Sequence, residues 1–124
     1  MKTIILAFAL ILAPLTTHAL QPLQLGHFAG TYGPTGCARG WDASPGYLVL
    51  SVSTDRNWVV HIYDGATVDY LLYGRLSSLG RFTGITPQGT RFTGTINRKG
   101  ELSGRWTGPP RTCHGTFAAY RTGP

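Results

Sequence analysis

Apolar and polar residues alternate with period two along most of this chain, and short clusters of Gly, Pro, Asn and Asp interrupt the alternation at regular intervals. Successive side chains of an extended chain point to opposite faces, so this pattern predicts half-buried β-strands. It is sharpest where one phrase recurs every ten residues: Leu72-Tyr73-Gly74, Phe82-Thr83-Gly84, Phe92-Thr93-Gly94 and Leu102-Ser103-Gly104. A beat of that length is one strand plus one tight turn. Read outward from it, the chain holds eight strands. The first four span His27 to Gly33, Tyr47 to Ser53, Asn57 to Tyr63 and Val68 to Leu76, and four more centre on Phe82, Phe92, Leu102 and Phe117. Asp64-Gly65 is the strongest hairpin signal, because these residues tolerate the positive φ of a type I′ turn. Asn97-Arg98-Lys99-Gly100 suits a type I turn with Gly in the left-handed position of a bulge. Pro109-Pro110 assigns Gly108 to Thr112 to a loop. Pro34 to Gly46 is the one long connection.

A glycine in mid-strand weakens a strand unless something requires it. Here it recurs on the apolar face, two residues from Phe, Leu, Ile or Trp. Small barrels mix large and small inward residues, and a mid-strand glycine lets a strand coil around a closed sheet. If Phe82 lies across from Gly94, its ring covers the bare backbone. The pattern therefore predicts an all-β fold, a small eight-stranded antiparallel up-and-down (meander) barrel, with a Greek-key β-sandwich as the alternative. In a meander the end of the first strand meets the start of the eighth. Those places carry Cys37 and Cys113, the two cysteines of the chain, so a disulfide is expected to staple the closure.

The N-terminus changes the picture of where the protein works. Lys2, the apolar run Ile4 to Leu15 and Thr17-His18-Ala19 read as an export signal over residues 1–19, cleaved after Ala19. The run is shorter than the roughly 20 apolar residues that span a bilayer. Residues 20–26 then read as a flexible lead-in, and 27–124 as a single barrel domain. The expected location is the periplasm or the extracellular space, where a cysteine pair oxidises. An outer-membrane barrel does not fit, because the outward positions include Arg81, Thr83, Arg91, Thr93, Glu101, Ser103 and Arg105.

Charge adds little. The formal net charge is +6, but the bases are scattered rather than clustered, which argues for solubility and against nucleic acid. No Gly-x-Ser-x-Gly, paired metal ligands or Gly-x-Gly-x-x-Gly before a helix is present, so no catalytic residue, metal or cofactor is assigned. Meander topology gathers four connections at one rim, and rim loops on rigid barrels carry function. That rim holds Arg39, Trp41, Asp42, Asp64 and Arg111, with Tyr63 and His114 beside it. Trp41 in a Gly-rich polar loop, accompanied by Arg, has the composition of a binding hot spot. The leading expectation is an exported, non-catalytic binding module, an inhibitor for instance, that contacts another protein or a glycan through loop 34–46. A small apolar or sugar ligand in the barrel mouth is the first alternative; many inward aromatics argue against room for it. A hydrolase using Asp64 or Asp69 with rim His61 or His114 is the second.

Phe28-Ala29-Gly30-Thr31-Tyr32 and Leu102-Ser103-Gly104-Arg105-Trp106 resemble the strand phrases of avidin-like barrels in rhythm. Gly33-Pro34-Thr35, which follow Tyr32, lack the polar set that would receive a biotin ring, and the family is not adopted on that ground.

Overall fold

The computed structural model describes residues 20–64 and 67–124, with residues 67–69 described as backbone. The expected export signal, the tip of the Asp64-Gly65 turn and the side chain of Asp69 lie outside the described residues. Eight strands follow the predicted order: β1 (Gly26–Cys37), β2 (Gly46–Val52), β3 (Asn57–Asp64), β4 (Thr67–Arg75), β5 (Arg81–Ile85), β6 (Arg91–Ile96), β7 (Glu101–Thr107) and β8 (Cys113–Gly123). All pairings are antiparallel in one sheet of order β4-β3-β2-β1-β8-β7-β6-β5. This is a meander curled into a nearly closed barrel, and the Greek-key alternative is not realised.

The first and last strands meet as expected: β1 and β8 pair from His27↔Gly123 to Cys37↔Cys113, and the disulfide joins that last pair. Two details differ from expectation. The sheet edges lie opposite, at β4 and β5. There Leu76 gives its N–H to the Arg56 carbonyl on the β2–β3 turn, 2.8 Å away, rather than to β5. The second difference is that β1 runs through Pro34 to Cys37, so the long connection is only 38–45. Beyond Tyr32↔Gly46, β1 has β8 alone as neighbour. Pro34 thus lies where the strand has an unpaired side, and a register shift between Pro34 and Gly36 absorbs Thr35.

The repeated phrase has a consequence that period two alone does not reveal. In β5 and β6, Thr83 pairs with Thr93, so Phe82 falls opposite Gly94 and Gly84 opposite Phe92. The two hairpin strands thus exchange rings and glycines. A Cβ at Gly84 would lie 2.2 Å from the Phe92 ring, and one at Gly94 would lie 2.8 Å from the Phe82 ring. The Gly-x-aromatic phrases of β7 and β8 do the same, with Gly104 under Phe117 and Gly115 under Trp106. Trp58 covers Gly74 in the β3–β4 pair. Each ring lies along the wall over its neighbour's bare backbone.

One barrel end is filled. Phe28, Val52, Trp58, Leu76 and Ile96 are buried there. Residues 20–25, expected to be a flexible lead-in, close over it: Leu20 and Leu25 pack on the core, and Pro22–Gln24 form one 3-10 turn. Gln24 is buried, donates from Nε2 to the Ile96 carbonyl at 2.7 Å, and accepts the Gln21 N–H at 2.7 Å. Arg121 Nε secures the Leu25 carbonyl at 2.7 Å. A single turn is too short to show periodicity, which is why its packing is silent in the sequence. The connections at this end use the expected chemistry. Gly80 and Gly100 take φ of 79° and 82°, and Asn97 Oδ1 accepts the N–H groups of Lys99 and Glu101.

Candidate functional site

The opposite end of the barrel is open. A cavity of about 440 Å³ runs inward from this mouth, within the range of small-molecule pockets. Leu50, Val60, Phe82 and Leu102, each 1–5% exposed, form its floor and belong to the packed core, and its upper wall includes Tyr32, Tyr70 and Trp106. The inward rings fill the deeper half, as Phe82 packs on Trp58, Phe92 and Phe117 with centroids 5.7–6.2 Å apart, and the space lies above them toward the mouth.

Asp42, Ala43 and Ser44 edge the mouth from the β1–β2 loop, Asp64 from the end of β3, and Thr86 and Thr90 from the β5–β6 turn. Three of the polar side chains lining the cavity bond the backbone. Tyr32 Oη donates to the Tyr63 carbonyl at 2.9 Å, and Trp106 Nε1 to the Gly33 carbonyl at 3.3 Å. Thr86 Oγ1 accepts the Thr90 N–H at 3.1 Å. The lumen therefore presents mainly ring faces and aliphatic groups to a visitor, with carboxylates at its entrance.

The residues singled out in the sequence separate into three places. Asp42 and Asp64 border the cavity. Arg39, Trp41, Arg111 and His114 sit at the β1–β8 end, where Ala38 N–H bonds the Thr112 carbonyl at 2.7 Å and Trp41 N–H bonds the Ala38 carbonyl at 3.0 Å. Trp41 is 57% exposed there and does not fold back as a lid. Arg111 takes a left-handed φ of 68°, and the His114 ring lies over Gly36. Tyr63 faces the outer wall, stacked on Tyr47 with centroids 4.7 Å apart and flanked by His61 at 6.3 Å. His61 and Asp64 thus stand on opposite faces of β3, and the structure does not bring that acid and that histidine together.

Among the described residues, one carboxyl departs clearly from its ordinary titration. The Ser53 hydroxyl holds Asp55 below the usual value, against a smaller opposing effect of desolvation and with help from the Asn57 backbone. Asp55 belongs to the β2–β3 turn at the closed end, far from the mouth in topology, so its shift reflects turn chemistry.

The sequence reading offered the barrel mouth as a small-ligand site but did not name Tyr32, Tyr70 and Trp106 as its lining. The signal was present in the reciprocal aromatic and glycine positions of paired strands, but it requires the register to be read. No known family model and no curated protein matches the chain. Among the described residues no helix is long and apolar enough to cross a membrane.

Proposed function

We propose that this is an exported, non-catalytic carrier or binder of a small apolar molecule held in the barrel lumen. The observation that carries this reading is the open, largely apolar cavity of about 440 Å³ beneath a single mouth. Burial of apolar ligand surface at about 25 cal/mol per Å² supplies the affinity, and the preformed wall limits the ordering cost of binding. An apolar ligand suits the site better than a sugar, because Tyr32, Trp106 and Thr86 already bond the backbone. The disulfide is compatible with an oxidising compartment, the periplasm or the extracellular space.

The test is a titration with N-phenylnaphthylamine, a neutral fluorophore that brightens in apolar surroundings. The expected result is saturable one-to-one binding, with intermolecular NOEs to the methyl groups of Leu48, Leu50, Val60 and Leu102. Ala43→Trp, a loop change at the mouth, is expected to weaken it about tenfold or more. Binding confined to outer-wall residues such as Leu71 and Tyr73, or no binding at all, would end this reading.

The exposure of Trp41 supports a second reading, in which the β1–β8 end docks on a protein or glycan with Trp41 as apolar anchor and Arg39 and Arg111 beside it. Capture from the exported fraction is expected to be lost in Trp41→Ala. If the variant keeps its fold and every partner, this docking role is ruled out.

A further inference from the structure

The charge at the cavity mouth runs against the charge of the chain. Lysine and arginine outnumber aspartate and glutamate eleven to five. Yet among the described residues the cavity lining contains Asp42 and Asp64 and no lysine, arginine or histidine. Both carboxylates are exposed, and among the described residues neither is paired with a base. They come from different elements, the β1–β2 loop and the end of β3, so a single turn's chemistry does not explain both. Immediately inside them stand Tyr32, Tyr70 and Trp106, whose ring faces attract cations. Further in, the floor is Leu50, Val60, Phe82 and Leu102. Polarity therefore falls along the axis from anionic, through aromatic, to aliphatic.

We propose that the lumen selects a cationic amphiphile: a hydrocarbon or aromatic body lodged among Tyr32, Ile62, Tyr70 and Trp106, above the floor made by Leu50, Val60, Phe82 and Leu102, ending in a protonated or quaternary amine between Asp42 and Asp64. This rests on the small-ligand reading above and gives that ligand its class. An anionic amphiphile of equal length places its head beside two carboxylates with no compensating base, which the site disfavours. A neutral one gains the wall but not the mouth.

The experiment displaces N-phenylnaphthylamine from the disulfide-bonded protein with three ligands of one chain length, decyltrimethylammonium, decanol and decanoate, all below their micellar concentrations. The expected order of affinity is ammonium, then alcohol, then carboxylate, with ammonium about tenfold tighter than alcohol. In Asp42→Asn/Asp64→Asn the ratio of ammonium to alcohol affinity is expected to collapse toward one. With the wild-type chain, which removes any question of folding, raising the ionic strength is expected to weaken ammonium more than alcohol. If all three ligands bind with equal affinity, or the double variant keeps the ammonium preference, the cationic assignment falls while the lumen reading stands. If the fluorophore and all three ligands fail to bind, both fall together.

Discussion

Removing the Cys37–Cys113 disulfide is expected to lower the free energy of unfolding by about 4.5 kcal/mol, with the barrel still folded in the absence of denaturant. The bond spans 76 residues of sequence, so it closes a long loop in the unfolded chain and removes much of that chain's freedom. In the folded state it joins two residues already held in register by the long β1–β8 ladder. The fold therefore does not depend on the bond for its geometry, and the loss falls on the unfolded side of the balance. Against the total stability of about 5–15 kcal/mol that domains possess, the change is large. The suitable variant is Cys37→Ser with Cys113→Ala, because Cys37 is exposed while Cys113 is buried and serine there would bury a hydroxyl. Urea unfolding checks it: the midpoint should fall and the slope should rise as the unbridged chain exposes more surface. An unchanged midpoint would mean that the unfolded chain gains nothing from release of the loop.

Phe82→Ala is expected to cost about 3–5 kcal/mol. Phe82 is the meeting point of the aromatic wall, with ring centroids 5.7 Å from Trp58, 6.2 Å from Phe92 and 6.0 Å from Phe117. It also covers Gly94, so truncation removes three ring contacts and bares the β6 backbone to the lumen. Its neighbours are held by their own glycines, which limits collapse into the gap. Phe82→Leu keeps much of the apolar volume but not the flat cover, and is expected to fall between the two. Thermal and urea melts measure the loss. The alanine variant is also expected to accept bulkier probes than the wild type in the fluorophore assay. A cost below about 1 kcal/mol would show that the ring does not pack against the wall in solution.

The two predictions separate what holds the barrel from what leaves it hollow. The disulfide acts on the ensemble the chain leaves behind, whereas the ring wall shapes the cavity that a ligand enters. A protein that only needed stability could fill its lumen with branched aliphatic side chains. Here ring and glycine alternate, which packs the deeper half with rings laid on bare backbone and leaves the space toward the mouth open.

Strand number, strand order, the sorting of loops between the two rims and the cysteine pair were all legible in the sequence. The reason is local: alternation of period two, turn residues of known φ preference and a ten-residue beat each act within a few positions of the chain. Asp42 and Asp64 were legible as rim residues for the same reason. Three features were decided only by tertiary structure. The direction in which each aromatic ring lies depends on the residue across the ladder, so the 440 Å³ lumen emerged only with the register. The position of the sheet edges at β4 and β5, rather than at the chain ends, depends on the β1–β8 pairing. The closure of one barrel end by Leu20 to Leu25 depends on the carbonyl of Ile96, distant in sequence, that receives the Gln24 amide. Local alternation determines which way a side chain leaves the strand; what it meets there is a property of the closed sheet.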